Sequence, residues 1–589
     1  MTQVENNRVA GIRKRWWLEW EAGLLVLVVG AIYLPGLGAP PLGGEESARG
    51  QIAKEMAIYD DWVVPRMQGV PIVCYYPPVH NWVIAAVARV HGSLDEVAIR
   101  LPSALAVLLL ALLIYGYSRV FLSRLGAFAA ASAFATMGHV LQLGRIGETD
   151  ALYTVFVAGS LLVWHWVDAR RGSALAAWCV GYGLAALGML AKGAQAPVYF
   201  VGGVGMYLLL TGRWREVFRW QQFAGLTLCI AAYVVWIVPY YLRAGAANTW
   251  IMFDGHLPGG AWGYANVSSS GIAWIPFLGM TGVPRWFLVI KHLFTFPVEV
   301  AACMLPWSVL LLAYAGRAFR RSIGPAREHV RFLCCAIGVA LLSCWISPGA
   351  RTRHFASLYP CFAPLIGLVV DRCAYGLVGQ VNLWQRFLRG MGCVMPLCGA
   401  AVFTATLFGW GPFGSMQCPL WATVLMLGGA ALAAVTFWAS ASGGAFRQAM
   451  GVLSVTAFIG LGTTGAYRSV LVGLGEPIAE NIAAMKQQLP AGTRLVSIGR
   501  VDSNFVFYYG EPIRLLEPGE LAAASAADWS YFCAQRDLPQ SDRDFPHEDL
   551  AVISCKGLRS GKTGSAVVVG RRLPAMGRVS QRPGSPGYQ

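Results

Sequence analysis

Residues 43–82 read GGEESARGQIAKEMAIYDDWVVPRMQGVPIVCYYPPVHNW. They follow an apolar run long enough to enter a bilayer, and the character of the chain changes at once. Two adjacent carboxylates, Glu45 and Glu46, stand where the chain leaves the first span. Arg49 and Lys54 follow on a charged, helix-forming stretch, and Pro77-Pro78 comes after it. A plain link between two spans needs none of this. A carboxylate pair held at the membrane–water boundary suits proton abstraction beside a substrate carried in the lipid.

Working outward, the composition is that of a membrane protein. Of 589 residues 56% are hydrophobic and only 13% charged, about half the charged fraction of soluble domains; mean hydropathy is +0.52. The net charge of +16 does not point to nucleic acid, because the excess lies in short loops between spans, as the positive-inside rule expects. About thirteen spans are expected, centred near 20–38, 98–118, 125–143, 150–167, 174–190, 195–211, 221–241, 299–315, 331–347, 354–371, 390–408, 419–439 and 450–472. Residues 79–91 are too short to cross and read as an interfacial helix. Loops after even-numbered spans carry Arg119 and Arg124, Arg170 and Arg171, Arg213 to Arg219, Arg317 to Arg331, Arg372 and Arg386, and Arg447. This alternation places the N-terminus, residues 1–19, in the cytoplasm and everything after the last span outside it.

The expected organisation is a polytopic α-helical membrane domain over 20–473, with a first outer loop at 39–97 and a long outer loop at 242–298. A small α/β domain follows over 474–573, then a polar tail over 574–589. Strand-like runs fall at 494–498, 505–509, 551–554 and 566–569, and helix-like runs at 478–488 and 520–526. Most of the fourteen cysteines lie in spans, where they act as small apolar residues. Cys533 and Cys555 lie in the outer domain, where a disulfide between them is open. No metal-ligand spacing is visible.

With sidedness set, the polar residues at outer span ends stand out. They are Arg145, Glu148 and Asp150 before span four, Lys192 at the end of span five, Arg351, Arg353 and His354 at the start of span ten, and Glu45, Glu46 and Arg49 in the first loop. All are expected at one depth, so they can converge on one site. Arg and Lys there bind phosphate, and a carboxylate takes a proton from an incoming hydroxyl. Plainer roles stand beside these. Lys192 can snorkel, Asp150 with Thr149 can cap a helix, Arg351 and Arg353 can hold lipid headgroups, and Arg145 can pair with Glu148. Glu45 and Glu46 can be solvated acids, His256 a surface histidine, and Tyr75 and Tyr76 part of an interfacial belt.

The first-loop run EESARGQIAKEMAIYDDWVVPRMQGVP, the Pro-Pro pair, Arg100-Leu101-Pro102-Ser103, Asp150-Ala151-Leu152, Ala191-Lys192-Gly193 and Tyr359-Pro360 occur in an order that resembles one family. It is the bacterial polyprenyl-phosphate-sugar-dependent glycosyltransferases of the C-type (GT-C) membrane superfamily. The aminoarabinose transferases that modify lipid A are the nearer branch and the protein O-mannosyltransferases the further one. The resemblance covers roughly residues 20–370. It implies a multi-pass protein of the bacterial inner membrane with a periplasmic C-terminal domain. It also implies a polyprenyl-phosphate-sugar donor, a lipid or protein acceptor on the periplasmic side, most naturally lipid A or a related glycolipid, and inversion at the anomeric carbon. Glu45 stands at the family's catalytic acid and Asp150 at a second family acid. Lys192, Arg351 and Arg353 are candidates for the donor phosphate. Glu46, Arg49, Tyr75, Tyr76, Arg145, His256, His354 and Tyr359 are candidate substrate contacts. No cofactor and no metal enter this scheme. Two departures bear on specificity: Glu45 replaces the usual Asp, and Tyr75-Tyr76 replaces a Glu-Lys pair before Pro77-Pro78. A protein O-glycosyltransferase, a transporter of prenyl-linked sugars and a non-catalytic relative remain alternatives.

Overall fold

The computed structural model describes residues 19–71, 76–254, 285–347, 350–375, 383–416, 419–441, 444–517, 520–521, 529–555 and 566–573. The chain forms two units. One comprises 1–40, 52–65 and 72–474; the other comprises 41–51, 66–71 and 475–589.

The first unit is helical. Among the described residues nine helices are long and apolar enough to cross a membrane, and a bent pair makes a tenth candidate. Three shorter apolar helices, Trp20–Tyr33, Arg124–Ala135 and Gln195–Leu210, fall on three further expected spans. Every expected span therefore coincides with helix, but not always with one straight rod. The expected span 299–315 is broken: Val289–Cys303 and Trp307–Ala315 meet at 119°. Pro306 at the break has no backbone N–H to continue the first helix, a cause that an unbroken apolar run conceals. The expected loop 242–298 is also narrower than read. Helix Trp220–Asp254 runs into it from one side, with a non-helical residue at Gly245, and Arg285–Cys303 enters it from the other.

Helix Arg124–Ala135, RLGAFAAASAFA, is buried from Leu125 to Ala135. Its alanines and glycine let neighbouring helices approach closely, which is how helices pack where no hydrophobic force separates them from lipid. Polar ties lock the bundle further. The Tyr33 hydroxyl donates to the Ala135 carbonyl at 2.8 Å, and Trp307 Nε1 donates to Thr136 Oγ1 at 2.9 Å.

Among the described residues the second unit holds seven short strands. β1 (Arg66–Met67) and β2 (Val70–Pro71) form a hairpin around Gln68-Gly69, both at positive φ, as a two-residue turn matched to strand twist requires. β3 (Leu495–Ile498), β4 (Arg514–Leu516), β5 (Tyr531–Gln535), β6 (His547–Ser554) and β7 (Ala566–Arg572) form one sheet in the order β4-β3-β5-β7-β6. β3 is parallel to β4 and β5, while β7 is antiparallel to β5 and β6. Both faces of the central strands are covered, so β3 is buried at every residue and β5 at its three central ones, while β6 at the edge carries His547, Glu548 and Asp549. Leu495, Cys533, Val567 and Val569 pack with Ile478, Ile482 and Met485 of helix Ile478–Gln488. Val496, Ile498, Phe532 and Ala534 pack with Leu516 and Trp529.

Three readings change here. The run 505–509, aromatic and β-branched, is not a strand but part of helix Ser503–Tyr509. The Asp502 side chain caps it through Asn504 N, and Gly510 ends it in the left-handed region. Phe505, Val506 and Tyr509 then fall on one face against the sheet, each contributing roughly 1.5–3 kcal/mol by burial. Strands β4 and β5 were not foreseen. Cys533 and Cys555 are buried free thiols rather than a disulfide. Burial pushes the Cys533 thiol up to about 12 and raises Cys555 as well, so neither is reactive. The helix-like run 520–526 falls largely outside the described residues.

Candidate active site

In the helical unit the polar cluster forms where helix ends meet. Asp150 lies in the first turn of Thr149–Ala169, and Lys192 is the last residue of Ala174–Lys192. An acid at a helix N-terminus and a cation at a C-terminus each suit the local dipole. The two side chains form an ion pair, 2% and 7% exposed. The Lys192 ammonium also sits 5.6 Å from the centroid of the Tyr153 ring. Asp150 Oδ2 and the Tyr153 hydroxyl are buried and have no hydrogen-bond partner among the described residues. Glu148, at the N-cap position, accepts from Arg353 Nη1 at 3.4 Å. Arg353 and His354 lie within electrostatic reach of Asp150. Arg351, the exposed N-cap of Thr352–Phe355, donates its backbone N–H to His354 Nδ1 at 3.3 Å. The structure thus gathers Glu148, Asp150, Lys192, Arg351, Arg353 and His354, and adds Tyr153.

Two candidates have other engagements. Arg145 does not pair with Glu148. Its guanidinium donates to the carbonyls of Ile32 at 2.6 Å, Tyr33 at 3.1 Å and Pro35 at 2.8 Å, satisfying acceptors that the end of helix Trp20–Tyr33 leaves open. Tyr359 is fully buried, its hydroxyl 3.3 Å from His139 Nδ1. Tyr76 is half-buried. Tyr75 and His256 lie outside the described residues. Sequence reasoning missed His80, fully buried two residues after Pro78, whose Nε2 meets the Gly147 carbonyl at 3.2 Å. It steadies the turn before Glu148. Gly147 is required there, since a Cβ would lie 2.2 Å from Ile99 Cγ2. A lone histidine in an apolar segment was the available signal.

The first-loop acids belong to the other unit, and the structure separates their roles. Glu45 closes the first turn of helix Glu46–Ile58 through its carbonyl, which accepts from Arg49 N at 3.0 Å. Its carboxylate accepts from Arg49 Nη2 at 2.8 Å and stays 42% exposed, while the Arg49 side chain is 8% exposed. Glu46, by contrast, is 2% exposed, and its Oε2 accepts from Gly43 N at 2.9 Å. Its contact to Gly43 N is local to the turn, and the buried Arg49 side chain pairs with Glu45.

The comparisons agree with this architecture. Residues 76–240 match the family model for dolichyl-phosphate-mannose-protein mannosyltransferase. The chain is 25% identical over 378 residues to the undecaprenyl phosphate-α-4-amino-4-deoxy-L-arabinose arabinosyl transferase of Aeromonas hydrophila, covering 62% of this chain and 63% of that one. It is 27% identical over 408 residues to a Pseudomonas fluorescens transferase of the same name, covering 67% and 64%. The alignments thus span a little under two thirds of those relatives. The crystal structure of ArnT from Cupriavidus metallidurans bound to undecaprenyl phosphate aligns with a TM-score of 0.62 at 15% identity, over 94% of this chain and 98% of that one. Its apo form gives 0.63. The chain shares the fold of that ArnT structure, with a small sheet region at the C-terminus. Its sequence likeness is to polyprenyl-phosphate-sugar transferases, as the first loop implied.

Proposed function

We propose that this chain is an inverting membrane glycosyltransferase. It moves a sugar from a polyprenyl-phosphate donor to an envelope acceptor at the periplasmic face of a bacterial inner membrane, lipid A or a related glycolipid. The observation that carries this reading is the Glu45 carboxylate, kept open while Arg49 fixes it. Arg49 Nη2 donates to Oε2 at 2.8 Å and the Glu45 side chain is 42% exposed, an arrangement that suits a general base. Glu45 takes the proton of the acceptor hydroxyl. The hydroxyl oxygen forms the new bond to the anomeric carbon as the bond from that carbon to the phosphate oxygen breaks. The electron pair leaves with polyprenyl phosphate, and configuration inverts. Arg351 and Arg353 meet the charge that grows on the departing phosphate. Lys192 contributes its field from within its pair with Asp150, and the unpartnered Tyr153 hydroxyl and Asp150 Oδ2 offer polar contacts to a bound headgroup. The names of the relatives favour a pentose as the transferred sugar. The scheme asks for no metal.

Mass spectrometry of envelope lipids from cells with and without the chain tests the acceptor. A glycolipid that loses one pentose-sized unit when the chain is deleted is the expected result. The family-model match favours a second reading, transfer to protein. In that case the mass difference would appear on secreted peptides and the lipids would be unchanged.

A further inference from the structure

The residues around Glu45 are not tied down by the first loop alone. The segment 41–51 folds as part of the C-terminal unit, and it lies along helix Ser503–Tyr509. The Tyr508 hydroxyl accepts from Leu42 N at 3.1 Å, and Ser47 Oγ meets Ser503 Oγ at 2.8 Å, with Ser47 fully buried. Ser503 and Tyr508 stand about 7.5 Å apart along a helix axis, so the two bonds grip the turn before and after Glu45. Between them Gly44 turns the chain at φ +62, and Glu46 closes the turn on Gly43.

The anchor is placed with purpose in the sheet. The chain passes from β3 through Ser503–Tyr509 to β4 on one side, then crosses to β5 on the other. The carboxyl ends of β3 and β5 therefore flank a topological switch point, where open α/β sheets hold their ligands. Asp502 N donates to Gln535 Oε1 there at 3.1 Å and ties the two loops together. Ser503 follows directly. The protein's own first loop is bound beside the place such sheets give to a small ligand.

We infer that the C-terminal α/β unit is a clamp for the first-loop acid, with Ser503 and Tyr508 as positioning residues that hold the Glu45 turn in its working geometry. The catalytic part of this inference rests on the reading of Glu45 as the base. Neither hydroxyl touches substrate; both act through the backbone and side chain of the loop.

The test uses the full-length protein in detergent or nanodiscs, with Ser503→Ala, Tyr508→Phe, Ser47→Ala and the Ser47→Ala/Ser503→Ala pair. Each single variant is expected to lower kcat about five- to tenfold, the worth of one hydrogen bond. KM for the donor should stay within about twofold, and Ser503→Thr, which keeps the hydroxyl, should restore the rate. Amide exchange should rise across 42–49 and stay unchanged in β3, β5 and β7. The double variant should be no worse than either single one, because both remove the same bond. Wild-type kcat without these hydroxyls, additive effects of Ser47→Ala and Ser503→Ala, or unchanged exchange across 42–49 would each overturn the clamp. Wild-type transfer by Glu45→Gln would instead overturn the base, and the exchange measurement would still decide whether the clamp exists.

Discussion

Asp150–Lys192 and Glu45–Arg49 are both acid–base pairs, and they differ in what they leave open. In the first, both side chains are sealed in the helical unit at 2% and 7% exposure. In the second, the cation is sealed at 8% and the acid is 42% exposed. A buried pair is costly to break, because either partner alone is an uncompensated charge. A half-open pair can lend its acid to chemistry while the buried cation keeps it aimed. Sequence position gave both acids equal standing; their exposure differs, and the proposed function gives the open one the proton and the sealed one the task of holding the helix ends.

The comparison can be broken from either side. Asp150→Asn leaves Lys192 buried without its counter-charge. It should cost about 3–5 kcal/mol of stability, read as a lower thermal or denaturant midpoint in detergent. Asp150→Asn combined with Lys192→Met should regain most of that loss. An Asp150→Asn protein as stable as the parent would show that the pair does not hold the helix ends. A smaller effect is expected at the phosphate-binding cations. Arg351→Ala or Arg353→Ala should raise KM for the donor about tenfold, in line with one charge-assisted hydrogen bond, and weaken inhibition by free polyprenyl phosphate in parallel. An unchanged inhibition constant would remove that role. Smaller still is Gly44→Ala. A side chain at φ +62 costs about 1–2 kcal/mol, and kcat should fall severalfold while the melting of the helical unit stays as it was. Equal rates for Gly44→Ala and the parent would mean that the turn tolerates other geometries.

Hydropathy and the alternation of arginines made the helical unit legible, because lipid demands about twenty apolar residues per crossing and the loops carry the charge bias. Hydropathy could not report the break at Pro306, since both sides of it are apolar. The run 505–509 misled because FVFYY has strand composition, whereas Asp502 and Gly510 cap it as a helix. The sequence picked out Asp150, Lys192, Arg351 and Arg353, which cluster in the helical unit, and the first-loop acids, which belong to the other unit. Only the resemblance, not the residues themselves, set Glu45 apart from Glu46; their difference in exposure depends on which carboxylate turns back to the Gly43 amide. Nor did the sequence show that the first loop is bound by helix Ser503–Tyr509. Ser47 and Ser503 are 456 residues apart, and two serines carry no pattern that announces a hydrogen bond. Arg145 went to helix-end carbonyls for the same reason: its partners are backbone groups, which have no letter in the sequence.

The most direct measurement sets the adjacent acids against each other. Sugar transfer per folded molecule is compared for Glu45→Gln and Glu46→Gln, with a polyprenyl-phosphate-linked sugar as donor and both proteins checked for normal membrane insertion. The account predicts a loss of about 10²–10⁴-fold for Glu45→Gln, the range of a missing general base. It predicts near-parental transfer for Glu46→Gln, whose amide oxygen can still accept from Gly43. Full activity in Glu45→Gln, or an equal loss in both, would contradict it.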